Sequence, residues 1–201
     1  MAQQRPVCRA RGESNYMKIK REEILIEGKK YSAELQYFEK QDRKILRDNY
    51  DYWKKLKIGM GNLKSRHPNL PEGISEGAYA LFFNSPRALG VTGDASSSFD
   101  NYDTKKHKRI QVKATTIETD LTSFGPNSVW DVLIFLDFYR DGKFNGKFDA
   151  YEIPNNLVYN HQVSRTQTFR QQQQEGRRPR FSVEKEIIRK NGIKPLKTCQ
   201  L

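Results

Sequence analysis

Residues 96–116 read S-S-S-F-D-N-Y-D-T-K-K-H-K-R-I-Q-V-K-A-T-T, and the reading of this stretch decides the fold. Ser98 to Tyr102 and Arg109 to Thr116 are rich in aromatic and β-branched residues, while Thr104 to Lys108 is polar and basic, the pattern of a β-hairpin. If the chain turns back near residue 106, Asp100 lies across from Val112 and Asp103 across from Arg109. Asp100, Gln111 and Lys113 then share one small volume. A carboxylate, an amide and an ammonium gathered at a strand end suit a divalent metal and a water beside a phosphodiester.

Hydrolysing a phosphodiester requires a positive centre for the developing charge, a deprotonated water in line with the leaving oxygen, and a proton for that oxygen. Magnesium supplies most of this and prefers oxygen ligands. The expected set is Asp100, the amide oxygen of Gln111 and the main-chain carbonyl of Val112. Lys113 is expected to touch the attacking water and the scissile phosphate, stabilising negative charge. His107 falls in the turn, and the three histidines show no metal-ligand spacing.

Working outward, the segment from Ser32 to Lys57 lacks Pro and Gly and carries Leu35, Phe38, Ile45, Leu46, Tyr50, Trp53 and Leu56 at roughly helical intervals, predicting one long helix or two shorter ones. L-P-E-G-I-S-E-G-A-Y-A-L-F-F-N predicts another, with Pro71 and Ser75 as start signals and Ala78, Leu81 and Phe82 as an apolar stripe. Glu76 is read as lying in its first turn, where the helix dipole favours a carboxylate. Downstream, V-W-D-V-L-I-F-L-D-F-Y predicts a central strand buried on both faces, with Trp130 and Phe135 in the core. F-D-A-Y-E-I before Pro154 returns beside it.

Residues 165–181 change character. R-T-Q-T-F-R-Q-Q-Q-Q-E-G-R-R-P-R-F supplies Arg165, Arg170, Arg177, Arg178 and Arg180, donors suited to phosphates and base edges. The final V-E-K-E-I-I-R-K-N-G-I-K-P reads as a short helix stopped by Gly192 and Pro195.

Composition agrees with a polyanionic partner. Lys and Arg number 36 against 24 Asp and Glu, a net charge of +12. A mean hydropathy of -0.86, with no apolar run near the roughly 20 residues that span a bilayer, speaks against a membrane protein. The N-terminus lacks a signal core, so a cytoplasmic location is expected. Cys8 and Cys199 form no zinc or disulfide pattern, and no Gly-rich phosphate loop is present. The expected organisation is a basic N-terminal arm over residues 1–20 and a single domain over 21–201, with a DNA-contacting segment at about 160–181.

F-D followed after ten residues by Q-V-K, with Glu76 upstream, resembles the PD-(D/E)XK nuclease superfamily in its Q-x-K variant. P-E-G-I-S-E-G, the hairpin, D-L-T-S-F-G-P-N-S-V-W-D, L-D-F-Y and G-R-R-P-R-F-S together resemble a small family of Type II restriction endonucleases that cut GCNGC-type palindromes. The resemblance implies an α/β restriction-endonuclease-like core with a central mixed sheet flanked by helices. It also implies a homodimer acting on double-stranded DNA and leaving 5′-phosphates, with a companion DNA methyltransferase. Thr122, Ser123 and the late arginines become DNA contacts, with Lys64 and Arg66 on phosphates. Gln111 departs from the superfamily's usual Asp or Glu, so a further acid is wanted. Glu76 is chosen, over Glu72, Asp94 and Asp103. A repair or junction-resolving nuclease on the same core, and a basic binding protein in which Asp100 and Lys113 form an ion pair, are the alternatives.

Overall fold

The computed structural model describes residues 17–92, 99–140 and 142–201. It opens with an antiparallel hairpin, β1 (Lys18–Ile26) and β2 (Lys29–Tyr37). Ile26 pairs with Lys29 across Glu27 and Gly28, whose φ values of 51° and 78° are both left-handed, as a two-residue type I′ turn requires. Lys18 and Lys20 therefore begin a strand, and the rest of the expected basic arm lies outside the described residues.

This hairpin corrects the helix predicted to start at Ser32. Ala33 and Leu35 are buried while Glu34 and Gln36 are not, a period of two that the neighbouring helical spacings obscured. Helix α1 (Arg43–Asn62) follows a single 3-10 turn and buries Leu46, Tyr50 and Trp53 along one stripe. Helix α2 (Glu72–Phe83) starts after Pro71 and ends at Asn84, which takes the left-handed conformation that stops a helix (φ 52°). Glu72 occupies its first turn. Glu76 is the fifth helical residue and lies one turn further in, so the expected first-turn position is corrected.

Strand β3 (Arg87–Val91) leads to β4 (Asn101–Asp103) and β5 (Lys108–Thr115), the predicted central hairpin. Asn101 pairs with Ile110, Tyr102 with Arg109 and Asp103 with Lys108. The register is one residue from the expected one: continued, it sets Asp100 opposite Gln111 rather than Val112. The turn itself causes the slip. Asp103 Oδ1 accepts the N–H groups of Lys105 and Lys106, both at 3.0 Å, and His107 adopts a left-handed φ of 54°, closing the loop early.

The chain continues through β6 (Thr122–Ser123), β7 (Val132–Asp137), β8 (Lys147–Ile153), α3 (Asn155–Tyr159), α4 (Phe169–Gln174) and β9 (Arg180–Phe181). A π-helical segment (Glu184–Arg189) and β10 (Lys197–Gln200) complete it. Eight strands form one mixed sheet in the order β1-β2-β3-β4-β5-β7-β8-β10, with β5 and β7 parallel and the other pairs antiparallel. β6 and β9 form a separate antiparallel ribbon.

β7 is the predicted two-faced strand. Ile134 and Leu136 pack with Tyr50, Trp53 and Ala78 of α1 and α2. Leu133 and Phe135 pack on the other side with Phe124, Val158, Phe169, Phe181 and Ile187. Helices thus cover both sides of a mixed sheet, the expected α/β architecture.

Candidate active site

β4 is too short to cover its partner. It pairs with residues 108–110 of β5, and β5 runs on to Thr115 with its β4-side edge uncovered by any described strand. Beside this opening lies a cleft of about 590 Å³, bounded by α2 on one side and by the β6 region on the other. Glu72, Glu76, Asp100, Gln111, Val112 and Lys113 line it together.

Asp100 is held by what remains of the ladder. Its main-chain N–H donates to the Ile110 carbonyl at 2.9 Å, as a paired strand residue would. Beyond that point its side chain replaces a strand: Oδ2 accepts the Val112 N–H at 2.7 Å and the Nε2 of the buried Gln111. The Val112 carbonyl leaves the same edge as its N–H and faces the same side. Lys113 projects its Nζ over the Phe124 ring, 5.6 Å from the centroid.

Glu76 is almost fully buried and receives the Nε–H of Arg87 from β3. Asn101 ties the helix to the strand, its Nδ2 donating to the carbonyls of Glu76 (3.2 Å) and Ser85 (2.8 Å). A fully buried asparagine next in sequence to Asp100 therefore fixes the spacing between the two acids.

Glu76 raises the proton affinity of Asp100. Burial and then the charge of Glu76 push Asp100 up to about 7, against the pull of the Val112 N–H and Lys113. Glu76 is also raised by burial, opposed by Arg87. Among the described residues no three His, Cys, Asp or Glu side chains cluster closely enough to form a metal cage. A buried and a half-buried acid with an amide and a main-chain carbonyl beside them nonetheless offer the kind of oxygen donors that a hard divalent cation takes, and such a charge would offset the repulsion between the acids. The donors present fit magnesium.

The remaining predicted positions separate. Ser123 and Arg178 line the same cleft, and Arg180 sits opposite Ser123 in the ribbon. Thr122 turns inward, its hydroxyl donating to Asp120 Oδ2 at 2.5 Å. Arg165 is exposed in a loop, and Arg170 stacks 4.9 Å from the Tyr159 ring centroid. Arg177 pairs with Glu175 at 3.1 Å and donates to Gln167 at 3.1 Å. Lys64 and Arg66 are exposed beyond α1. Asp94 lies outside the described residues, and Asp103 serves the turn. Sequence reasoning missed Arg87, Asn101 and Asp120; adjacency to Asp100 was the signal for Asn101 and the D-L-T-S loop for Asp120, while Arg87 had none.

A mixed sheet between helical layers, with an acid facing a Gln-x-Lys strand at an open sheet edge, defines a nuclease core of the restriction-endonuclease type. Residues 38–190 match the family model described as Bsp6I restriction endonuclease. The chain is also 35% identical over 158 residues to the Type II restriction enzyme Bsp6I of Bacillus sp. (strain RFL6), an alignment covering 76% of this chain and 84% of that enzyme. The chain belongs to the Bsp6I restriction endonuclease family and is a Type II restriction enzyme, a site-specific DNA endonuclease. No solved structure matches it.

Proposed function

We propose that Asp100, Gln111, Lys113 and Glu76 form the centre at which this enzyme hydrolyses double-stranded DNA with Mg2+, leaving 5′-phosphates. The observation that carries this reading is their convergence on one cleft, where a charged lysine stands beside two acids that repel each other. Magnesium, when bound, supplies positive charge at the phosphate and acidifies water. Asp100 and Glu76 offer anionic oxygens, and Gln111 and the Val112 carbonyl neutral ones. Lys113 holds negative charge at the attacking water and the scissile phosphate. Arg87 and Asn101 fix Glu76 and its helix against the strand that bears Asp100.

The target is a short palindrome of the GCNGC type, the specificity that the sequence resemblance implies. Its two-fold symmetry asks for a homodimer, one site for each strand. Ser123, Thr122, Arg165, Arg170, Arg177, Arg178 and Arg180 supply the DNA-facing segment, with Lys64 and Arg66 on phosphates. A companion DNA methyltransferase protects the host chromosome in the same cytoplasm. No helix among the described residues is long and apolar enough to cross a membrane.

Digestion of a sequenced plasmid with Mg2+, followed by sequencing of the fragment ends, tests target, cut position and end chemistry together. Discrete fragments with 5′-phosphates at one repeated palindrome are expected. Fragments with no common end sequence would overturn the palindromic target, and cleavage undiminished by EDTA would overturn the metal.

A further inference from the structure

The ribbon of β6 and β9 has one buried and one more open face. Thr122, Phe124, Pro179 and Phe181 are buried, whereas Leu121 is 66% exposed and Arg178 and Arg180 stand outward. Phe124 and Phe181 stack at 5.6 Å beneath it, and the Phe124 N–H donates to the Pro179 carbonyl at 3.1 Å, extending the ribbon by one bond.

Its mount is a buried hydrogen-bond network. The buried carboxylate of Asp120 accepts hydrogen bonds from the Thr122 hydroxyl (2.5 Å), the Ser182 hydroxyl (2.6 Å) and the N–H groups of Val183 (2.9 Å) and Glu184 (3.1 Å). One side chain thus clamps the entry of β6 to the exit of β9. On the outer face the side chains of Arg178 and Arg180 make no hydrogen bond or ion pair among the described residues, whereas Arg177 is paired with Glu175 and Arg170 lies against the Tyr159 ring. The Ser123 hydroxyl is out of solvent and lacks a partner among the described residues. Leu121, Ser123 and Arg178 line the cleft that holds Asp100 and Lys113.

We propose that this ribbon is the base-reading element of the enzyme, with Arg178 and Arg180 addressing guanine edges and Leu121 making apolar contact beside them. A major groove admits a two-stranded β-ribbon, and a guanidinium fork matches the two acceptors of guanine. Contact with a phosphate tolerates a mobile point charge. Bidentate reading of a base needs a donor fork held in a fixed direction, which the Asp120 clamp provides. The assignment rests on the cleft being the place of DNA cleavage.

The test uses the full chain and the site mapped by plasmid digestion. With Ca2+ replacing Mg2+, binding is measured to a duplex carrying that site and to a shuffled duplex of equal composition, for wild type, Arg178→Ala and Arg180→Ala, across a salt series. Both residues are exposed, and unchanged melting temperatures confirm that the variants fold. The expected result is a fall of about tenfold or more in the ratio of cognate to shuffled affinity for each variant, with shuffled binding nearly unchanged. Equal losses on both duplexes, with a salt slope reduced by about one, would make these residues phosphate contacts and overturn the proposal. Unchanged binding to both duplexes would overturn it as well. Failure of the wild type to give discrete fragments would instead remove the palindromic cleavage reading, and the ribbon's role with it.

Discussion

At the residue scale the site is governed by an acid that the fold keeps in an unfavourable state. Asp100 titrates near 7 because it is partly buried beside Glu76. A carboxylate raised above its unfolded value contributes stability below about pH 4 that is lost as pH rises through about 7. Metal-free Asp100→Asn should therefore be more stable than wild type at pH 8, by on the order of 1–3 kcal/mol after allowing for partial exposure, and equal to it near pH 4. Urea unfolding at the two pH values in EDTA measures this. A variant no more stable at pH 8 would show that the acid is not strained. Adding Mg2+ should raise the wild-type melting temperature and not that of Asp100→Asn, since a ligand that binds the folded state stabilises it. Cleavage should fall by about 100-fold or more in Asp100→Ala and in Lys113→Ala. Asp100, Gln111 and Lys113 were legible in sequence because all three lie on one hairpin. The Arg87 partner of Glu76 was not, since β3 reaches α2 only through the folded sheet.

At the element scale, two segments carry the cost of placing the site. Phe135 is fully buried between β7 and the layer of α3, α4 and the C-terminal helix, so Phe135→Ala should cost about 3–5 kcal/mol, readable as a shift in urea midpoint. Each Asp120 oxygen accepts one hydroxyl and one main-chain N–H, so Asp120→Asn leaves two donors facing an amide NH2, of which the N–H cannot turn away. The substitution should cost roughly 2–4 kcal/mol, and a variant as stable as wild type would show that the clamp does not hold the ribbon. The central strand was legible because a continuous apolar run admits few other fates. Residues 32–37 misled because Tyr31, Ala33, Leu35 and Tyr37 continue almost seamlessly into a helical pattern, and the pairing with β1 and β3 separates the two. The hairpin register slipped by one because the turn is set by the Asp103 side chain rather than by composition.

At the scale of the whole molecule, charge sets the encounter with DNA. The net charge of +12 predicts non-specific DNA binding that weakens steeply between 50 and 200 mM salt, measurable by fluorescence anisotropy. Salt-independent binding would show that the basic excess lies away from the contact surface. Sedimentation of the enzyme with and without a cognate duplex should give two chains per duplex if the proposed palindromic target holds. The family match over residues 38–190 spans β3 to β9 and includes the cleft and the ribbon, whereas β1 and β2 at one sheet edge and β10 at the other lie outside it.

The sequence by itself determined the architecture of a mixed sheet with helices on both sides, the hairpin that brings Asp100, Gln111 and Lys113 to one cleft, and the chemical class of the partner. These follow from local periodicity, turn composition and charge, which act over a few residues. Tertiary structure alone decided that Asp100 faces Gln111, that Glu76 is buried against Arg87, and that Asp120 binds the loop after β5 to the start of the C-terminal helix. Each of these is a contact between groups distant in the chain, or a register fixed by a side chain. Hydrogen bonds and desolvation at such places are settled only when the whole sheet closes.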